Sequence, residues 1–213
     1  MNINNIRSSE DNPEGKNPST IGQTQAFTPI DQHLFESRTI FVSGEVNSEL
    51  GVKVNRQLLA MERANPTAPI VLWIDCPGGE VYSGFSIYDT VQFIKPKVIT
   101  LVAGLAASMG SVIALAAEKE NRLALPNSKL LIHQPLMGGM LRGSASDLEI
   151  HTKDIIDLKK KMHRMYADRT GGKVEKFVEL MERDRWVEPV EAIELGLISK
   201  IIKSRSELDG YLK

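Results

Sequence analysis

Hydrophobic and polar positions along the chain divide it into an unpatterned start and a long patterned body. Residues 1–25 carry Asn, Ser, Glu, Pro and Gly with few large apolar groups. Such a stretch buries too little surface to offset the entropy of ordering, so it is expected to be flexible. It reads as a removable leader, a gating arm or a plain tail. The domain proper is assigned to residues 26–213, with regular structure expected from about Arg38. The β-branched run Arg38-Thr-Ile-Phe-Val42 predicts a strand. Asn47 or Ser48 can then cap a helix that lines up Leu50, Val54, Leu58 and Met61 on one face. That helix must end near Asn65-Pro66, because the residue before a proline is pushed out of the α region. The nearly all-apolar Pro69-Ile-Val-Leu-Trp-Ile-Asp75 has the pattern of a strand buried on both faces.

The unit then recurs. A Pro77-Gly78-Gly79 turn leads to a helix over residues 83–94, a buried strand over 97–103, a helix over 108–117 and a strand over 130–133. Alternation at this length predicts an α/β fold with right-handed crossovers and helices on the sheet faces. Ser146-Asp-Leu-Glu149 matches a capping box opening a long helix over about 146–169, which stops at Gly171-Gly172. A short helix over 173–181 and a strand near 197–202 complete the pattern.

Composition narrows the function classes. Among 213 residues, 42% are hydrophobic and the formal net charge is -1, so a soluble domain with a real core is expected and no overall basic field points to nucleic acid. Cys76 is the sole cysteine and cannot form an internal disulfide, which suits a reducing compartment. With only four scattered histidines beside it, no metal cluster is expected. No apolar run is long enough for a membrane span, and the first residues lack the layout of a secretory signal. A cytoplasmic location is expected, with an organellar origin left open.

Two places offer chemistry. Asp75-Cys-Pro-Gly-Gly-Glu80 follows a buried strand, where open α/β sheets place ligands and adjacent glycines expose backbone N–H groups; it also reads as a plain tight turn. Gly104-Leu-Ala-Ala-Ser-Met-Gly110 puts Ser108 at a second strand-to-helix corner among small neighbours. There Ser108 is either a helix N-cap or a nucleophile, with the Met109 N–H beside it as an oxyanion donor. A serine nucleophile needs a base. Of His33, His133, His151 and His163, the most site-like is His133, at the end of a buried strand. The residue pattern alone selects no orienting carboxylate.

Taken together and in order, Gly104-Leu-Ala-Ala-Ser-Met-Gly110, Leu125-Pro-Asn-Ser128, Ile132-His-Gln-Pro135, Glu182-Arg-Asp-Arg185 and Ala192-Ile-Glu-Leu-Gly-Leu197 resemble the proteolytic subunit family of the Clp protease, the serine peptidase that works with AAA+ unfoldases. The resemblance covers about Arg38 to Ile202. It implies Ser108 as nucleophile, His133 as general base and Asp184 as the orienting carboxylate, a role that rests wholly on the family. It implies the amides of Gly79 and Met109 as oxyanion hole, and Gly78, Val81, Pro135 and Leu136 as substrate contacts. The implied fold is the crotonase-like spiral of repeated β-β-α units, with the long helix as a protruding handle. The implied assembly is a homo- or hetero-oligomer of stacked heptameric rings, fed with unfolded polypeptide by an unfoldase such as ClpX, ClpA or ClpC. The unfoldase would dock at Val71, Trp73, Phe93, Leu125 and Ile202, each of which also reads as core. No cofactor is implied, since the partner ATPase uses the ATP.

The chain departs from the family pattern at Asp75-Cys76, where Asn-Ser is usual, in a slightly longer loop expected over 135–143, and in an amino-terminal stretch without the usual apolar segment. These departures suggest a second isoform needing a different paralogue. They also sustain an alternative, a chiefly structural or regulatory ring subunit. A further alternative is a crotonase-fold acyl-CoA enzyme, which likewise uses two backbone amides but needs no triad.

Overall fold

Alternating side chains along the central strands divide the interior into two packed layers. The computed structural model describes residues 28–136 and 144–213; the arm expected over 1–25 lies outside the described residues. In chain order the elements are α1 (Pro29–Glu36), β1 (Thr39–Ser43), α2 (Ser48–Ala64), β2 (Ile70–Cys76), α3 (Val81–Phe93), β3 (Val98–Ala107) and α4 (Met109–Ala114). A single 3-10 turn (Lys119–Asn121) leads to β4 (Arg122–Ala124), β5 (Lys129–Ile132), α5 (Ala145–Thr170), α6 (Val174–Leu180), β6 (Arg185–Val187), α7 (Pro189–Glu194), β7 (Lys200–Ile201) and α8 (Arg205–Asp209). The strands run β1-β2-β3-β4-β7 in parallel, and β5 leaves this path to pair with β3 in parallel and with β6 antiparallel. This is the expected mixed α/β architecture.

Successive strand residues point to opposite faces. On β2, Ile70, Leu72, Ile74 and Cys76 join the main core with Val54, Leu58 and Met61 of α2 and with Phe85, Ile87 and Val91 of α3. Val71 and Trp73 point the other way, into a smaller cluster with Ile99, Leu101, Leu123 and Ile202 that is closed by Leu208, Tyr211 and Leu212. The all-apolar reading of β2 is explained by these two layers. Burial of one such side chain contributes roughly 1.5–3 kcal/mol, whereas the Asn47 cap on the Leu50 N–H contributes about 1 kcal/mol. Packing therefore decides where α2 lies, and the cap decides where it begins.

Several boundaries differ from expectation. Ordered structure begins before Arg38, with α1 capped reciprocally by Thr28 and Asp31. The capping box of α5 is Ser144 with Asp147, two residues earlier than Ser146 with Glu149, because Ser144 has the extended backbone an N-cap requires. The expected strand at 197–202 narrows to β7, while Leu197 and Ile198 pack in the core as part of the turn after α7. Arg122 is almost fully buried and donates to the carbonyls of Ala117, Arg169 and Gly196 at 2.8, 2.8 and 3.4 Å. Burial pushes this guanidinium down to about 10. The cation satisfies orphan carbonyls at three chain turns at once.

Candidate active site

The corner between β3 and α4 holds strained backbone. Ser108 has φ 53 and ψ -119, and with Arg38 it is one of two non-glycine residues at positive φ among the described residues. Such a conformation costs about 1–3 kcal/mol and persists where its surroundings over-determine it. Those surroundings are explicit. The Ser108 N–H donates to Leu131 O of β5 at 2.9 Å, and the Ser108 carbonyl accepts from the N–H groups of Ser111 and Val112 at 3.0 and 3.3 Å. It also accepts from Ser111 Oγ at 2.7 Å, and Ser111 Oγ in turn lies 2.6 Å from the buried Tyr166 hydroxyl. Ser108 occupies the N-cap position of α4, but its side chain makes no capping hydrogen bond and its backbone is not the extended form a capping serine takes. The hydroxyl is left available. Met109 opens the helix, so its N–H has no partner within it.

The corner between β2 and α3 packs against this elbow. Gly78 and Gly79 have φ 98 and 141, which only glycine adopts freely. A Cβ on Gly78 would stand 2.6 Å from Ser108 Cβ and 3.1 Å from Met109 N, and one on Gly79 would stand 2.2 Å from Val46 O. Val46 clamps the turn: its N–H donates to Gly78 O at 2.7 Å, and its carbonyl accepts from Glu80 N at 2.7 Å. Between them the Gly79 N–H makes no backbone hydrogen bond among the described residues. The Gly78 turn therefore packs against Ser108 and the Met109 amide, with the Gly79 N–H lacking a backbone partner and the Met109 N–H lacking one within its helix.

Asp75 and Cys76, where the sequence departs from the family pattern, have definite structural work. The β2–β3 register shifts between Ile74 and Cys76, and the Asp75 carboxylate accepts the Leu105 N–H at 3.0 Å, satisfying an amide at that irregularity. Cys76 is buried, its Sγ accepts the Gly78 N–H at 3.4 Å, and burial pushes its thiol up.

The segment that carries the expected base, His133, is looser. Ile132 pairs with Arg185 at the end of the β5–β6 ladder, and His133 and Asp184 are the next residue on each side of it. His133 is buried, yet its Nδ1 has no hydrogen-bond partner, and Asp184 is exposed. Among the described residues no hydrogen bond joins Ser108 to His133 or His133 to Asp184. The two lie on one cleft of about 410 Å³, lined also by Gln134, Leu136, Glu182 and Arg183. Gln134 anchors this segment through its N–H to Met181 O and its Nε2 to Glu182 O, both at 2.7 Å. Lys159 bonds Glu182 at 2.8 Å, and that hydrogen bond and charge hold the Glu182 carboxyl below its usual range. His163 of α5 is buried with Nε2 unpartnered, and burial, reinforced by Lys159, lowers its affinity for a proton.

Of the remaining expected site residues, Pro135 is half-buried and Leu136 is 72% exposed on this cleft. Val81 begins α3 and packs against the main core. The expected lengthening of the loop falls on residues 137–143, outside the described residues. Val71, Trp73, Leu125 and Ile202 share the smaller cluster, where Val71 and Ile202 are buried floor and Trp73 and Leu125 are half-buried against it. Phe93 is 80% exposed at the end of α3, apart from that cluster. Val46, Leu131, Ser111 and Tyr166 escaped the sequence reading. The first two act through backbone atoms, and the last two carry ordinary helix residues whose partnership spans 55 positions.

Among the described residues, no cluster of three His, Cys, Asp or Glu side chains is placed to hold a metal ion. No helix among them is long and apolar enough to cross a membrane.

Comparison with known proteins agrees with this geometry. A sequence model of the family described as Clp protease matches residues 22–205. The chain is 42% identical over 199 residues to the ATP-dependent Clp protease proteolytic subunit 2 of Treponema denticola, covering 93% of this chain and 96% of that relative. The chain belongs to the Clp protease family and is a serine peptidase of that kind.

Proposed function

We propose that this chain is a proteolytic subunit of an ATP-dependent Clp protease, cleaving peptide bonds of unfolded polypeptides with Ser108 as nucleophile. The observation that carries the reading is the strained Ser108 elbow, with its hydroxyl uncapped and the Gly78 turn packed against Ser108 Cβ and Met109 N. Ser108 Oγ attacks the scissile carbonyl carbon while His133 takes the hydroxyl proton. The carbonyl oxygen becomes an oxyanion facing the two N–H donors. Collapse breaks the C–N bond, and His133 returns its proton to the leaving amine. Water then attacks the acyl ester with the same histidine as base, which releases the acid and regenerates Ser108. Asp184 orients the imidazole through Nδ1, the atom that stands unpartnered in this structure. Gly78 lets the substrate backbone approach, and Val81, Pro135 and Leu136 border its path.

Ser108 to His133 and His133 to Asp184 are not hydrogen-bonded in the single chain, which supports a site completed on assembly. The assembly we propose is a homo- or hetero-oligomer of two stacked heptameric rings with α5 between them, served in the cytoplasm by a AAA+ unfoldase that consumes the ATP. Phe93 supplies an exposed aromatic for that unfoldase, and Trp73 and Leu125 supply half-buried anchors over the Val71 and Ile202 floor. The same missing bonds favour one second reading, a regulatory ring subunit whose own site is seldom used.

A fluorophosphonate probe separates the two readings. Under the first, the purified chain, alone or mixed with a catalytic paralogue, is labelled at Ser108, and Ser108→Ala abolishes the labelling. Labelling that survives Ser108→Ala overturns the assignment. A mixed ring that keeps full activity with Ser108→Ala establishes the regulatory reading instead.

A further inference from the structure

Behind the elbow, two hydroxyls form a chain whose direction is fixed by proton counting. Ser111 Oγ lies 2.7 Å from Ser108 O, which can only accept, and 2.6 Å from the Tyr166 hydroxyl. A serine hydroxyl has one hydrogen. That hydrogen goes to the carbonyl, so the phenol must donate to Ser111 Oγ. Tyr166 is fully buried on α5, its ring packed 5.7 Å from that of Phe177, and burial pushes the phenol far above its ordinary range, so the donor proton is retained.

The carbonyl at the end of this chain belongs to the peptide unit between Ser108 and Met109. That unit is planar and trans, so its C=O and its N–H point in opposite directions from one rigid plate. Whatever fixes the Ser108 oxygen also fixes the aim of the Met109 N–H. Hydrogen bonds donated to a carbonyl further polarise the N–H of the same amide, and linked bonds strengthen one another. The helix does not require the extra donor, because Ser108 O already accepts from the N–H groups of Ser111 and Val112 as an N-cap carbonyl does. The added hydroxyl holds a plate attached to a residue at φ 53 and ψ -119, where relaxation would rotate the N–H away.

We propose that Ser111 and Tyr166 are positioning residues that aim and polarise the Met109 N–H as an oxyanion donor, coupling that donor to α5. The proposal rests on the reading of Ser108 as the nucleophile. Its distinctive consequence is an effect on the transition state without an equal effect on ground-state binding.

The test uses the full chain in the ring composition that shows peptidase activity. Tyr166→Phe and Ser111→Ala are compared with the parent for kcat and KM on a fluorogenic peptide, and for the affinity of a peptide boronate that forms a tetrahedral adduct. Outright loss of an oxyanion donor costs 10²–10³ in rate, and a misaimed donor is expected to cost about 10-fold in kcat with KM nearly unchanged. Boronate affinity should fall in parallel, and Ser111→Thr should restore most of kcat. Unchanged kcat and boronate affinity in both variants overturn the proposal, as does a loss that appears wholly in KM or that Ser111→Thr fails to restore. If Tyr166→Phe does not assemble, as judged by native mass, Ser111→Ala and Ser111→Thr decide the matter by themselves. The parent reading fails separately, by probe labelling that survives Ser108→Ala.

Discussion

The proposed nucleophile side of the site and the proposed base side meet at β5, and they are built in opposite ways. Ser108 is gripped through its own N–H, through a carbonyl that accepts from Ser111 and Val112, and through glycines that let the neighbouring turn touch it. His133 sits one residue beyond β5 with Nδ1 unpartnered, on one cleft with an exposed Asp184. One side stores strain inside a closed hydrogen-bond network. The other holds its groups near one another without joining them. An oxyanion hole must be rigid before charge develops, because reorganising dipoles would consume the stabilisation they provide. A base has only to arrive in time, and catalytic hydrogen bonds are often loose before substrate is bound. Under the proposed function, preorganisation belongs to the fold of one chain and alignment to the assembly that chain joins.

The largest effect expected to test this contrast is at Ser108. Ser108→Ala should lower peptidase activity by on the order of 10⁴-fold or more in a ring built only of this chain, with little change in thermal midpoint because the hydroxyl makes no hydrogen bond. Ser108→Gly should be equally inactive yet more stable than Ser108→Ala by about 1 kcal/mol, since glycine removes the strain at φ 53. Denaturant unfolding of the two variants reads this directly, and Ser108→Gly less stable than Ser108→Ala would show that the elbow holds no strain.

Next is Asp184→Ala, expected to lower kcat by roughly 10³–10⁴-fold while leaving the unfolding curve where it was, because Asp184 is exposed and outside any salt bridge among the described residues. A large stability loss there would erase the difference between the two sides. Gly79→Ala reverses the pattern. Its Cβ would collide with Val46 O at φ 141, and a destabilisation of about 3 kcal/mol is expected together with lost probe labelling.

The smallest effect is a pH dependence at His163. Its folded-state value lies below the ordinary 6.5, through burial first and Lys159 second, with Glu182 opposing. The unfolded chain therefore binds the proton more readily, and stability should fall as pH drops from about 6.5 through the folded value. His163→Gln should flatten that slope in thermal melts taken across this range. A slope that persists in the variant would assign the acid sensitivity to another group.

Much of the fold was legible because burial follows periodicity. The run from Pro69 to Asp75 had to be a two-sided strand, and Asn65-Pro66 had to end α2; both hold to within a residue or so. Short elements were not legible. The three residues of β4 and of β6 are too few for a period, and each is a strand only because a neighbour offers partners. The shift of the α5 cap from Ser146 to Ser144 has the same origin, since both serines precede an acidic residue at the correct spacing and backbone conformation selects between them.

For the site, local chemistry was readable from Pro77-Gly78-Gly79 and from the small residues around Ser108, because a tight corner restricts which residues fit it. The sequence by itself determined the layered α/β succession, the two strand-to-helix corners and, through the ordered motifs, the family. Only the tertiary structure decided that Ser108 sits at positive φ with its hydroxyl uncapped, that Val46 clamps Gly79, and that Asp75 serves the shifted register. It alone decided that Tyr166 reaches Ser108 through Ser111, and that His133 and Asp184 share a cleft with no hydrogen bond between them. Periodicity records which side of an element is buried, whereas these contacts join backbone atoms and side chains far apart in the chain, and no local pattern encodes their distance.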